Sequence, residues 1–188
     1  MKGIFFTELI DLVEETFGYE VADQMIEGSA LPSGGAYTAI GNYDLQDLVQ
    51  LIAQLQMITG RDVAVLMQMF GQHLFGRLVG RYPEILEDAG DCFSFLAHLN
   101  RHLHGTMNRL YPEAELPPFT FTQRNASEIE LSYHSANCLE DLAEGLIRGC
   151  VAHFREPLYV RRETQIEAAG TLVRFFLARP AHSSRGAD

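Results

Sequence analysis

Seven histidines stand in this chain, and three of them fall close together at His98, His102 and His104. Imidazole ligates metals in its neutral form and changes charge near neutral pH, so such a cluster is the first place to look for chemistry. On a helix His98 and His102 lie four apart on one face and could chelate a metal together. No third ligand of obvious type lies near them, and a solvated or cap-forming histidine is the default for both. His104 differs because it adjoins the stripe Leu96, Leu99, Leu103, Met107 and Leu110. One neutral imidazole at the edge of a core face suits a haem iron, which needs one strong protein ligand and apolar walls. From spacing alone, a structural histidine is the commoner outcome.

A second stretch, Tyr133-His134-Ser135-Ala136-Asn137, ends a strand-like run with hydroxyls that could hold a charged ligand group. Other chemistries find less support. Cys92, Cys138 and Cys150 have no histidine near them in a recognisable arrangement, and Ser135 lies in no nucleophile-elbow pattern. The 25 carboxylates offer no distinguished acid–base pair. Gly34-Gly35 matches no phosphate-binding pattern and reads as a turn. Met67-Gln68-Met69-Phe70 reads as core.

Around these residues the chain has the means to bury a sizeable core, with 188 residues of which 47% are apolar. The formal charge of −11 argues against broad binding to a nucleic-acid backbone, which needs clustered Lys and Arg. Three cysteines, odd in number and far apart in sequence, make no disulfide framework and contain no CxxC, which fits a reducing cytoplasm. The opening Met1-Lys2-Gly3-Ile4-Phe5-Phe6 meets Glu8 and Asp11 too soon for a signal peptide, and no window has the apolar length of a membrane span.

The first half reads as helices. Phe5, Leu9, Leu12, Val13 and Phe17 recur at helical spacing up to a stop at Gly18, and Val21 to Ile26 make a short second helix. Ser29 to Tyr37 is a loop. Tyr43 to Met57 is amphipathic through Leu45, Leu48, Val49, Ile52 and Leu55. Asp62 caps the next helix, with its stripe Val63, Leu66, Met67, Phe70, Leu74, Phe75 and Leu78, and Tyr82-Pro83 opens a short one. Asp91 caps a long helix from Cys92 to Leu110, closed by Tyr111-Pro112. After Pro117-Pro118 the period changes to two. Phe119 to Thr122 and Ile129 to Tyr133 read as strands around the turn Arg124-Asn125-Ala126-Ser127. Leu139 to Phe154 returns to helix. Leu158 to Ile166 and Leu172 to Leu177 form a second strand pair around Gly170. The expectation is an α+β domain over 1–178, a helical N-terminal half packed on a small antiparallel sheet, with a mobile polar tail over 179–188.

These elements together resemble the haem-nitric oxide/oxygen-binding (H-NOX) family, the bacterial relatives of the sensor domain of soluble guanylate cyclase. The resemblance runs from Met1-Lys2-Gly3 to about Leu177, through Gln68-Met69-Phe70-Gly71, the spacing of His104 to Tyr111-Pro112, and Leu139 to Gly145. It implies haem b, iron protoporphyrin IX, in a pocket between the helical half and the sheet, with His104, seven residues before Tyr-Pro, as iron ligand. The family signature Tyr-x-Ser-x-Arg holds the two propionates, so Tyr133 and Ser135 carry over and Asn137 replaces the arginine. Pro117 and the apolar Phe5, Leu74, Leu78 and Leu142 are the other pocket positions implied. An Asn amide cannot reproduce the charged fork of a guanidinium on a carboxylate. Losing one such bond, roughly 1.5–3 kcal/mol, weakens binding about ten- to a hundredfold.

Oxygen binders of the family carry a hydrogen-bonding tyrosine nine positions after the signature tyrosine, and Leu142 stands there. An apolar pocket favours NO and CO over stable oxygen binding, because bound oxygen draws negative charge and gains from a donor. The resemblance implies a gas sensor, not an enzyme, signalling to a separately made histidine kinase or cyclic-di-GMP enzyme, with no nucleic-acid or membrane partner. Some relatives hold zinc near the C-terminus. Cys138 stands near one such position, but 159–171 supplies no His or Cys, and no structural zinc is expected. The rivals are a haem-free interaction module of the same fold, a metal protein using His98 and His102, and, more distantly, a hydrolase.

Overall fold

The computed structural model describes residues 1–31, 33–87, 89–102, 119–135, 139–167 and 170–180, with the side chains of 100–102 left out. Helix α1 (Ile4–Phe17) and α2 (Tyr19–Gly28) are joined at Gly18, and a loop follows to α3 (Leu45–Thr59). At the start of α3 the Asp44 carboxylate accepts the Gln46 N–H at 2.9 Å. At its end Gly60 adopts the left-handed conformation (φ 68°) that side chains resist, which closes the helix. Helix α4 (Val63–Arg81) leads into a 3₁₀ turn over Pro83–Leu86 and then α5 (Cys92–His102). Strands β1 (Thr120–Asn125) and β2 (Glu128–Ser135) precede α6 (Glu140–Phe154), and β3 (Tyr159–Glu167) and β4 (Gly170–Ala178) complete the described chain. The sheet order is β1-β2-β4-β3, antiparallel throughout. This is the expected α+β arrangement.

Two apolar clusters form the interior. The first gathers α1 to α4 around Phe6, Leu9, Val13, Met25, Leu51 and Phe70, with Leu142 reaching in from α6. The second lies between the sheet and helices α5 and α6, around Phe75, Phe95, Ile129, Ile147, Phe175 and Leu177. Leu146 packs against both. Each fully buried side chain of this kind contributes about 1.5–3 kcal/mol from the apolar surface it withdraws from water.

The seam between the clusters is the crossing of α4 and α6. A Cβ on Gly71 would run into the Leu142 carbonyl and one on Gly145 into the Gln68 carbonyl. One on Gly149 would come within 2.8 Å of the Phe75 Cβ. Only glycine permits so close a backbone approach. Across the seam Gln68 of α4 donates to Asp141 at 3.4 Å. Helix α6 is tied to the sheet by Arg162 on β3, which binds Asp141 at 2.7 Å and Glu144 at 3.3 Å, while Arg148 holds Glu144 at 2.7 Å within the helix.

Several boundaries differ from the pattern in the sequence. Arg124 and Asn125 belong to β1, so the turn shrinks to Ala126 and Ser127. Helices α2 and α3 each end two residues later than expected, α2 through the exposed Glu27 and Gly28 and α3 through the half-buried Ile58 and Thr59. Val49 is 47% exposed although it fits the stripe, while Phe6, outside the stripe, is fully buried. Asp62 occupies the N-cap of α4 but its side chain makes no capping bond. Arg179, assigned by its sequence position to the tail, is held to Asp91 at 2.6 Å and Glu156 at 3.3 Å. The rest of the expected tail, 181–188, the His104-to-Pro112 segment and the second half of the long helix lie outside the described residues. No helix among the described residues is long and apolar enough to cross a membrane.

Candidate functional site

The sheet sets out the polar end of the candidate site. On β2, Ile129, Leu131, Tyr133 and Ser135 alternate toward the interior and are all buried. Tyr133 faces Val173 and Ser135 faces Thr171 across the β2–β4 ladder, so both hydroxyls lie on the inner face at the end of the sheet nearest the start of α6. The Tyr133 ring lies nearly parallel to Phe175, 6.3 Å between centroids. Its hydroxyl is buried and has no hydrogen-bond partner among the described residues, and the same holds for Glu140 Oε2.

A buried hydroxyl left unpaired costs about 1–3 kcal/mol, so its persistence asks for an acceptor that arrives from elsewhere. Burial pushes the Tyr133 phenol well above its ordinary value near 10. The Glu140 and Asp141 carboxylates push the same way, while the Arg162 charge and the nearby Ser135 hydroxyl act against them. Tyr133 is therefore a neutral donor across the physiological range.

The four apolar positions lie on the other side of the seam. Leu74 on α4 and Leu142 on α6 are buried in the first cluster, and Phe5 on α1 and Leu78 on α4 are half-buried against it. The structure thus gathers Phe5, Leu74, Leu78 and Leu142 into one apolar surface, and Tyr133 and Ser135 into a polar edge across the α4–α6 crossing. His104, Pro117 and Asn137 lie outside the described residues, as do Cys138 and the side chain of His102. His98 is on α5, with Leu96 buried and Leu99 half-buried on the same helix.

The approach to the His104 segment is well anchored. Asp91 caps α5, accepting the Ser94 N–H at 2.7 Å. Burial alone would raise the pKa of the Asp91 carboxyl, but the Ser94 and Arg179 bonds outweigh it and hold the group below the ordinary range. The Arg179 guanidinium stacks over Phe93, 4.4 Å from the ring centroid. On the helical side, Arg77 of α4 binds Glu8 at 2.8 Å and Asp11 at 3.1 Å, which locks α1 and with it Phe5 against α4.

The sequence matches the family model described as haem-NO-binding over residues 2–162. The chain belongs to the haem-NO-binding family. Solved H-NOX structures agree along almost its whole length. The Fe(II) unliganded H-NOX protein from K. algicida is 34% identical, with TM-score 0.85, covering 95% of this chain and 96% of that one. The IWP-051-bound H-NOX from Shewanella woodyi in the Fe(II)CO state is 37% identical, with TM-score 0.82, covering 100% of this chain and 97% of that one. The H-NOX protein from S. oneidensis in the Fe(II)NO state is 25% identical, with TM-score 0.84, covering 94% and 98%. No curated protein matches the chain. H-NOX domains are sensor domains, not enzymes, and the family's homologues are haem-based gas sensors.

Among the described residues, the H-NOX site of this chain meets one requirement of a haem pocket that periodicity could not reveal. The apolar positions lie in the first cluster and the buried donor, unpaired among the described residues, in the second, on either side of the α4–α6 crossing, which suits a ligand with an apolar body and acidic edge. The residues present therefore fit the group. Arg162 and Glu140 were not among the residues singled out from the sequence. Each reads as an ordinary surface charge in an alternating or helical run, and only the strand register, for Arg162, and the placement of α6, for Glu140, bring them toward Tyr133.

Proposed function

We propose that this H-NOX domain, over residues 1–178, is a haem-based sensor of NO and CO in the cytoplasm. In this reading it binds haem b through His104 and signals to a separate histidine kinase or cyclic-di-GMP enzyme. The observation that carries it is the buried Tyr133 hydroxyl, without a hydrogen-bond partner among the described residues, within reach of the Glu140 and Asp141 charges at the start of α6, the helix that carries Leu142. The Fe(II)CO and Fe(II)NO states of the relatives from Shewanella woodyi and S. oneidensis support the choice of gas.

Each residue has a role in this reading. His104 grips the metal as a neutral imidazole. Tyr133 donates its hydroxyl hydrogen bond to a propionate, with Ser135 beside it. Asn137 offers an amide where the signature has a guanidinium, so the cationic complement comes from another side chain. Arg162 is the candidate, because its charge already acts on the Tyr133 hydroxyl. Both its carboxylate contacts run through Nη1, and a guanidinium carries five donors in a fixed fork. Phe5, Leu74, Leu78 and Leu142 exclude water and offer no donor to a bound gas, which selects against stable oxygen binding. When bound, ferrous haem supplies the iron at which NO or CO coordinates. The chain's output is a shift of the helix bearing His104 against its packing, read by a partner surface.

The test is the absorption spectrum of the reconstituted ferrous protein, with and without NO, for the wild type and His104→Gly. A Soret band that moves with NO in the wild type and is lost or altered in the variant is the expected result. A wild type that takes up no haem would instead favour a haem-free interaction module. A stable ferrous–oxy spectrum in air would overturn the choice of gas.

A further inference from the structure

Behind the sheet, far apart in sequence, two thiols meet. Cys92 opens α5 and Cys150 lies in the third turn of α6, and their sulfurs are 3.4 Å apart. Both are buried, at 0% and 1% exposure, and neither takes part in the site described above. We propose that Cys92 and Cys150 are a reversible oxidation site, joined by a hydroperoxide into a disulfide that ties the start of α5 to α6.

The geometry is close to what the bond needs. A disulfide sets its sulfurs about 2.05 Å apart, so they must approach by roughly 1.4 Å, within reach of small side-chain rotations. The two residues are 58 positions apart, so the cross-link would close a long loop and restrict the unfolded chain strongly. Their surroundings distinguish the partners. The contact with Cys92 and burial both push the Cys150 thiol up. Cys92 opens α5 two residues after the exposed Gly90, so it is the sulfur that a peroxide entering at the helix start meets first, and it is the one that attacks. Hydrogen peroxide, little larger than water, needs only a local opening of that first turn to arrive.

The chemistry balances in two steps. The Cys92 sulfur, having lost its proton, attacks one oxygen of the peroxide, so that an S–O bond forms and the O–O bond breaks. The departing hydroxide takes up that proton and leaves as water. The Cys150 sulfur then attacks the Cys92 sulfenic acid. An S–S bond forms, the S–O bond breaks, and hydroxide leaves with the Cys150 proton as a second water. Two thiols lose two electrons in all, and one peroxide becomes two waters. The consequence falls on α5, the helix that runs toward His104: its first turn would be fastened to the element that carries Leu142.

The test uses the full chain with Cys138→Ser, which leaves this pair as the only thiols. After hydrogen peroxide and denaturing alkylation, the expected result is loss of both alkylatable thiols and a linked Cys92–Cys150 peptide lighter by two hydrogens. Dithiothreitol should restore both thiols, and the oxidised protein should melt roughly 5–15 °C higher than the reduced one. With Cys150→Ser added, Cys92 should remain as a sulfenic acid that dimedone captures. Should that variant fail to fold, peptide mapping of the protein with both cysteines still decides. Folded protein that keeps both thiols under peroxide, or that reaches sulfinic acid without the linked peptide, overturns the proposal. Because the readout is thiol chemistry, neither outcome depends on haem uptake.

Discussion

The two apolar clusters of this domain treat their buried polar groups differently. Under the helices, Glu8 is buried but engaged by Arg77 and Tyr37 binds Asp47 at 3.3 Å, while His73 Nε2, 3.4 Å from Glu8, is a buried atom with no hydrogen bond among the described residues. Against the sheet, Tyr133 and Glu140 bury polar atoms with no partner among the described residues. Since unmet buried polar atoms are costly, the second region, where two of them lie within electrostatic reach of each other, is the one arranged to receive something. The contrast also separates two kinds of residue that sequence alone cannot tell apart, those that hold the fold and those that wait for a ligand.

Adjacent phenylalanines give the widest separation. Phe6 is fully buried, stacked on Tyr37 at 4.5 Å and edge-on to Tyr43 at 5.4 Å. Phe6→Ala should cost about 3–5 kcal/mol, a fall in Tm of roughly 6–20 °C by differential scanning calorimetry. Phe5, half-buried against the first cluster and proposed above to face the haem, should lose far less stability when truncated and should alter the Soret spectrum of the loaded protein instead. Equal melting losses for the two would erase the distinction between core and pocket in the helical half.

On the sheet side the expected sign reverses. Tyr133→Phe removes a donor that has no partner among the described residues, so the haem-free protein should melt at the same temperature or slightly higher. Haem binding should weaken about ten- to a hundredfold, as for the loss of one bond to a charged group. Arg162→Gln should weaken it comparably if that guanidinium faces a propionate. Alkali gives a second readout. The phenol's pKa is raised in the folded protein, so the folded state keeps a proton that the unfolded chain releases above about pH 10. Stability from this source is complete below pH 10 and falls as pH rises beyond it, by up to about 1.4 kcal/mol per unit. The wild type should therefore lose Tm faster than Tyr133→Phe above pH 10. Parallel curves would mean that water reaches the hydroxyl in solution and that it is not buried.

The seam between the regions should respond to volume alone. Gly145→Ala forces a Cβ onto the Gln68 carbonyl, a backbone atom that cannot swing away. Overpacking of this kind should cost about 1–3 kcal/mol, seen as a Tm loss of roughly 2–12 °C. A neutral result would show that α4 and α6 can part at little cost.

How much of this was legible beforehand follows from the range of the forces involved. Helix and strand periods are local, so Leu9 and Val13, or Ile129, Leu131 and Tyr133, declare their buried face within a few residues. Phe6 escaped because the loop bearing Tyr37 and Tyr43 covers a side of α1 that a single stripe leaves to solvent. Val49 misled because the face it occupies has nothing packed on it. The polar half of the site was legible as a motif, Tyr133 and Ser135, but its electrostatics were not. Arg162, Glu140 and Asp141 reach Tyr133 only through the β2–β4–β3 register and the placement of α6. The contact of Cys92 with Cys150 is invisible in one dimension for the same reason.

The smallest effects test how far such local reading can be trusted. Asp44 and Asp62 both stand at helix N-caps, and the sequence offers no ground for ranking them. Their geometry does: Asp44 accepts the Gln46 N–H at 2.9 Å, whereas the Asp62 side chain makes no capping bond. Asp44→Ala should therefore cost about 1 kcal/mol, and Asp62→Ala no more than about 0.5 kcal/mol, in paired urea titrations. Asp62 keeps only its charge near the positive end of α4, which salt screens, so its small contribution should fade at high ionic strength while that of Asp44 persists. Equal losses for the two would mean that residue type at the cap, rather than the bond it makes, sets the stability of the helix start.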